Sequence, residues 1–312
     1  MIASQIELRH LRYFAALAEL RHFTRAAERV HVSQPTLSQQ IRQLEDAFGS
    51  PLFNRIGKQV TLTPAGEALL PHARGILCQV EEACTAVTEL RGLDSGQLSV
   101  GVVQTVNALL LPSLLVRFSQ TYPGIQVSTR EVPGDQLEAG VESGAFDLGI
   151  GFSPSERPRL ATDRLYEEEL VVIAARSHPL SARKSIRFSQ LEEHPLVLLP
   201  RGYCTRELIQ ASFGSRGGSP RVFMELNSIQ SILGTIEQMN AATVLPALSL
   251  SGRLKSPLRS IRLTHPTPRR VVGLVWRTGA FRKAAATAFA EMAKAVAHEL
   301  FAPAGAQRRT AA

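Results

Sequence analysis

Val32-Ser33-Gln34-Pro35-Thr36-Leu37-Ser38-Gln39-Gln40-Ile41-Arg42-Gln43-Leu44 decides how the start of this chain reads. Ser33 offers a capping oxygen, and Pro35 lacks an N–H that the first turn of a helix would leave unpaired anyway. Leu37, Ile41, Leu44 and Phe48 then recur at helical spacing, and Gly49 supplies the stop. Upstream, Leu8, Leu11, Phe14, Ala15 and Ala18 predict an amphipathic helix ending near Leu20 to Phe23. Thr24 is the expected cap of a short second helix that turns Ala26, Ala27 and Val30 inward and stops around His31. Two short helices joined by about three residues, the second opening polar, form a helix-turn-helix. The outward face of the second carries Gln34, Thr36, Ser38, Gln39 and Arg42, with Ser33 and Pro35 at its start and Thr24 and Arg25 on the helix before it. Amides, hydroxyls and a cation can reach base edges and phosphates, so double-stranded promoter DNA is the expected partner. The competing reading, a merely solvated face, would more often show Lys and Glu four residues apart.

Outward from this core, Gly57 with alternating Val60 and Leu62 predicts a hairpin, or wing, from which Arg55 and Lys58 project. Those cations suit a minor groove or phosphates, or are simply solvated. Thr63-Pro64 caps a long helix with Glu67 near its positive end. Along it Leu69, Ala73, Ile76, Val80, Ala83, Val87 and Leu90 alternate spacings of four and three, a coiled-coil seam expected to join two copies. Pro71 should bend this helix without ending it. The alternative partner for the stripe is the chain itself, the first helix or the C-terminal domain. The expected segments are a head over residues 1–63, a linker helix over 64–91 and a hinge over 92–97 loosened by Gly92 and Gly96.

From residue 98 to 312 strands and helices alternate. Strands are expected over 98–103, 125–131, 147–151, 170–174, 196–199, 221–225, 243–245 and 271–276, and helices over 109–122, 135–143, 228–238 and 281–300. This rhythm indicates α/β architecture with parallel sheets. Ligands in such sheets sit beyond strand ends. Candidate contacts there are Val103, Gln104 and Thr105, Gly151 and Phe152, Arg201 and Thr205, and Asn227 with Ser228. Hydroxyls, amides and helix N-termini suit a small anion or carboxylate, although the same residues serve as plain helix caps. Between Gln238 and Ala290 no Asp or Glu occurs while Arg253, Lys255, Arg259, Arg262, Arg269, Arg270, Arg277, Arg282 and Lys283 accumulate, which reads as a solvated basic surface.

With 312 residues the chain should form two or three compact units, and 35 Lys plus Arg against 27 Asp plus Glu favour a polyanionic partner. No apolar run approaches the roughly 20 residues that span a bilayer, and the start lacks a secretory pattern, so a cytoplasmic protein without membrane contact is expected. Cys78, Cys84 and Cys204 make no paired set, and the eight histidines show no metal-ligand spacing, so neither metal nor cofactor is expected. Phosphate loops, dinucleotide loops and nucleophile elbows are missing, which argues against an enzyme.

Phe23-Thr24-Arg25-Ala26-Ala27, the stretch from Val32 to Glu45, Pro51-Leu52-Phe53-Asn54-Arg55 and Leu62-Thr63-Pro64-Ala65-Gly66-Glu67 resemble the winged helix-turn-helix of LysR-type transcriptional regulators. The resemblance implies an all-α winged helix-turn-helix head and a C-terminal two-subdomain periplasmic-binding-protein-like α/β domain. Subdomain I would cover about 98–166 and 268–302, and subdomain II about 167–267. It further implies a homodimer or homotetramer, a small-molecule effector near Thr105 and the Asn227-Ser228 pair, contact with RNA polymerase, and activation. Residues 196–199, 205–207 and 227–229 are similar to the branch of cyanate-operon regulators, for which the effector would be a very small anion. The rival class is a solute-binding protein, or a small-anion enzyme of that fold.

Overall fold

The computed structural model describes residues 6–56, 59–88, 95–155, 157–214, 218–250 and 257–301. The chain divides into two compact units, one of Met1–Leu90 with Ser143–Ala145 and the other of Arg91–Glu142 and Phe146–Ala312.

In the first unit, α1 (Leu8–Leu20), α2 (Phe23–Arg29) and α3 (Gln34–Phe48) precede a hairpin of β1 (Phe53–Ile56) and β2 (Gln59–Leu62), followed by α4 (Pro64–Thr88). Phe14, Leu17, Leu37, Ile41 and Leu44 are fully buried at the centre. Each such side chain contributes about 1.5–3 kcal/mol of burial. Phe48, expected on the inward face, is instead exposed at the end of α3, where Gly49 turns left-handed at φ 64°. Ser33 caps α3 as read, its Oγ accepting from Thr36 N at 3.3 Å. The cap of α2 is not Thr24. The helix starts two residues earlier than that cap implies, at Phe23, and His22 Nδ1 accepts from Arg25 N at 3.4 Å, so Thr24 lies inside the first turn and faces outward. Glu45 ties the wing to α3, its Oε1 accepting from Leu52 N at 3.0 Å and Phe53 N at 3.2 Å. Gly66 lets α4 start against the wing, because a Cβ there would overlap the Leu52 carbonyl.

α4 runs unbroken through Pro71. Its stripe splits in two. Ala73 is fully buried and Leu69 half-buried against the head core, so these two face their own unit and Ala73 has no surface to offer a second copy. Ile76 and Val87 stay exposed, at 42% and 69%. Leu90 lies outside the described residues.

The second unit contains β3 (Gly96–Val102), α5 (Gln104–Leu109), α6 (Leu111–Thr121), β4 (Ile125–Glu131), α7 (Gly134–Glu142), β5 (Leu148–Ser153), β6 (Leu160–Ala175), β7 (Ser185–Arg187), β8 (Leu196–Leu198), α8 (Cys204–Gly214), β9 (Val222–Glu225), α9 (Ile229–Gln238), β10 (Ala242–Pro246), β11 (Leu258–Thr264), β12 (Arg269–Arg277) and α10 (Ala284–Phe301). Gly96 and Gln97, expected in the hinge, already pair with Ile125 and Gln126, while residues 92–94 of that hinge lie outside the described residues. The helix expected over 109–122 is α6, with Pro112 in its first turn, and a short helix that was not expected, α5, precedes it.

The strands run β4-β3-β5-β12-β6 and then β6-β10-β8-β9, with β11 pairing β6 and β7. The sheets are mixed, which corrects the expectation of parallel ones. β3 is parallel to β4 and β5, but β12 is antiparallel to β5 and β6, and β10 and β11 are antiparallel to β6. The cause is β6, one 16-residue strand shared by both sheets: up to Glu169 it pairs with β12, and from Leu170 with β10 and β11. Each sheet has its own core, one on α6 and α10, where Phe118 and Phe289 meet edge to face at 5.0 Å, and one under α8, where Phe188 and Phe213 do so at 4.6 Å.

Candidate functional site

Two places gather chemistry, one in each unit. In the first, burial of Leu37, Ile41 and Leu44 forces the rest of α3 outward, and Gln34, Pro35, Thr36, Gln39 and Arg42 are exposed while Ser38 is half-buried. Thr24 and Arg25 are exposed on α2. Ser33 is occupied as the cap, and Thr36 Oγ1 lies 2.7 Å from its Oγ. Arg55 pairs with Val60 across the wing through its backbone, but its side chain and all of Lys58 lie outside the described residues.

In the second unit the strand ends meet at Arg270. The register of β12 on β6 sets Arg270 opposite Glu168, and residues facing one another across antiparallel strands bring their side chains together. Arg270 Nε donates to Glu168 Oε1 at 2.6 Å, with the two side chains only 7% and 5% exposed. Its Nη1 donates to Thr205 Oγ1 at 2.6 Å and its Nη2 to Thr105 Oγ1 at 3.1 Å, and the guanidinium lies 4.4 Å from the Phe152 ring centre. One side chain therefore joins α5, α8, β5 and β6. Thr105, Thr205 and Phe152, expected to meet a ligand, are gathered around this guanidinium. Its charge already has a carboxylate partner, which removes the free positive charge that a small anion would need here.

Two hollows open in this unit, and the smaller shares Thr105, Thr205 and Phe152 with Arg270. The smaller, about 10 Å³, is lined by Val103, Gln104, Thr105, Phe152, Cys204 and Thr205. That is room for one water-sized molecule. Burial pushes the Cys204 thiol above its ordinary value, against the opposing pull of the Arg270 charge. The larger, about 530 Å³, opens between α5 and α9 and is lined by Gln104, Asn107, Glu131, Asn227, Ser228 and Ser249 among others. Ser228 caps α9, its Oγ accepting from Ser231 N at 3.4 Å. Gln104 Nε2 donates to the Asn227 carbonyl. Two expected contacts fall elsewhere: Gly151 is buried in β5 with Leu137 and Val103 beside its Cα, and Arg201 is exposed and lines neither hollow.

Sequence reasoning missed Arg270, Glu168, Asn107, Glu131 and Ser249. Of the basic run it read as solvated, Arg262, Arg269 and Arg282 are indeed about half exposed, but they pair with acids, Arg269 to Glu169 at 2.6 Å, Arg262 to Glu169 at 3.8 Å and Arg282 to Asp163 at 4.0 Å, as does Lys283 to Asp147 at 2.8 Å, while Arg253 and Lys255 lie outside the described residues. The available signal was the acidic run Glu167-Glu168-Glu169 set against Arg269-Arg270. Among the described residues no three His, Cys, Asp or Glu come together as a metal site, and no helix is long and apolar enough to cross a membrane.

Comparison with known proteins places this geometry. Residues 8–67 match the bacterial regulatory helix-turn-helix model of the lysR family, and residues 91–298 match the LysR substrate binding domain. The hydrogen peroxide-inducible genes activator of Escherichia coli is 32% identical over 275 residues, 88% of this chain and 90% of that one. A full-length OxyR variant from Pseudomonas aeruginosa superimposes with a TM-score of 0.73 at 28% identity, covering 94% of this chain and 95% of that one. Full-length CbnR in complex with its target DNA does so at 0.65 and 26%, covering 93% and 100%.

Proposed function

The chain belongs to the LysR family of DNA-binding transcriptional regulators with an effector-binding domain, and on that premise we propose that it reads promoter DNA with the exposed face of α3 and answers to a small molecule held in the larger hollow between α5 and α9. The observation that carries the reading is the division of α3: three fully buried apolar residues on one side, and Gln34, Thr36, Gln39 and Arg42 exposed on the other. Two copies, joined through Ile76, Val80, Ala83 and Val87 of α4, would set two such helices on successive half-sites. The effector domain then biases an equilibrium between two arrangements of the oligomer, which requires that the ligand bind them unequally. Activation through RNA polymerase is the expected output.

The test is footprinting on the chain's own upstream DNA. Gln34→Ala or Ser38→Ala should weaken specific binding by about 1–3 kcal/mol and leave nonspecific binding unchanged. Equal losses on random DNA would sink base reading by this face. Beside Arg270 a very small anion of the cyanate class is disfavoured, because it would have to displace Glu168 or leave two carboxylate-like charges beside one guanidinium.

A second reading rests on Cys204, which sits at the small hollow beside Arg270, and on a relative whose name states induction by hydrogen peroxide. Peroxide would oxidise the thiol to a sulfenic acid with release of water. Burial holds the thiol protonated, which slows that step, and Cys78 and Cys84 are on α4. The readings separate on Cys204→Ser: a footprint that changes with peroxide in the native chain and not in the variant favours the thiol.

A further inference from the structure

The larger hollow has a wall chemistry that points away from an anion. Gln104, which lines both hollows, is 7% exposed and its Nε2 is committed to the Asn227 carbonyl, which leaves its Oε1 buried without a hydrogen-bond partner among the described residues. Ser249, also 7% exposed, lines the same space, and its buried Oγ has no hydrogen-bond partner among the described residues. On the rim the Glu131 carboxylate takes a hydrogen bond from Asn107 Nδ2 at 2.5 Å and brings its acceptor oxygens to the hollow. Among the described residues no Lys, Arg or His lines the hollow. The N-terminus of α9 opposes this with roughly half a positive charge, less than Glu131 supplies. Leu109 and Leu233 give the apolar wall that a carbon stem would need. A buried acceptor without a donor is a gap that an N–H group fills.

We propose that the ligand of this hollow carries a small ammonium or amidinium group, its N–H donors seated on the Glu131 carboxylate and the Gln104 carbonyl, with its carbon stem along Leu109 and Leu233. The inference rests on the reading of this domain as the effector-binding part of a regulator, and it names the chemical class of the effector. A volume of about 530 Å³ lies within the range of ordinary small-molecule sites.

Four probes of one chain length test it on the full-length protein by ligand-observed NMR and calorimetry: butylamine, putrescine, butanol and butyrate. Both amines should bind, about tenfold or more tighter than butyrate and butanol. Glu131→Gln should erase that preference with an unchanged thermal midpoint, because Glu131 is exposed. Ala108→Trp, which fills the hollow from an exposed position, should abolish binding of all four. The inference is overturned if butyrate binds as well as the amines, if Glu131→Gln keeps the preference, if neither amine binds, or if amine binding survives Ala108→Trp. Promoter output in cells separates this from the reading beneath it. Output of Ala108→Trp identical to the native chain in every growth condition sinks the effector role of the hollow and leaves an amine preference standing. A butyrate-preferring hollow does the reverse.

Discussion

Arg269 and Arg270 are neighbours in sequence with opposite fates, because successive side chains of a strand point to opposite faces. Arg269 pairs with Glu169 on a face where the two side chains remain 54% and 34% exposed, while Arg270 and Glu168 are 7% and 5% exposed. Exposed pairs contribute about 0–1 kcal/mol, whereas removing one partner of a buried pair costs about 3–5 kcal/mol, since the other charge is left in a poorly solvating place. Arg270→Ala should therefore destabilise the chain by about 3–5 kcal/mol in urea unfolding, and Arg269→Ala by less than about 1 kcal/mol. Arg270→Met combined with Glu168→Leu should recover most of the loss. Equal costs for the two single variants would show that burial does not govern this pair. None of this was readable from residue types. The run 269–270 looks the same whichever arginine turns inward, and only the register with Glu168 and Glu169, about a hundred residues earlier in the chain, decides it.

At the scale of elements, periodicity carried the reading as far as one face of one helix. It found α3 and its wing, because Leu37, Ile41 and Leu44 needed only a local core. It found the α4 stripe but not its partners: Ala73 turns to the head, Val87 to solvent. Val87→Asp should then convert a dimer to monomer in sedimentation with helical content unchanged, while Ala73→Asp should unfold the head. It missed most of β6, since Asp163, Arg164 and Glu167 to Glu169 interrupt the apolar pattern where the strand passes from one sheet to the other. A smaller element adds a pH response. His178 caps the 3-10 turn Pro179–Ala182, its Nδ1 accepting from Leu180 N at 3.1 Å, and burial, then the neighbouring His194, hold its pKa below the ordinary 6.5. The unfolded chain binds the proton more readily, so stability present above pH 6.5 is lost as pH falls toward the folded value. In urea titrations His178→Asn, which keeps an acceptor for the cap, should flatten that acid limb. An unchanged slope would place the proton uptake elsewhere.

For the whole molecule the question is which of its excess positive charges meet DNA. The formal net charge of +8 is spread along the chain, yet in the second unit Arg262, Arg269, Arg270, Arg282 and Lys283 are answered by Glu and Asp, and Arg282 also covers Trp276 at 4.3 Å. Cations already neutralised release few counterions on contact with a polyanion, whereas an exposed arginine on the α3 face has its charge to give. The salt dependence of binding should therefore be a property of the head. Arg42→Ala should lower the slope of log K against log salt by about one on specific and random DNA alike, because a phosphate contact carries no sequence information. Arg282→Ala should leave the slope unchanged while loosening the packing over Trp276. Filter binding or fluorescence anisotropy across a salt series measures both. If Arg282→Ala lowered the slope as much as Arg42→Ala, the second unit would be touching the duplex, and its ion pairs would be opening to do so.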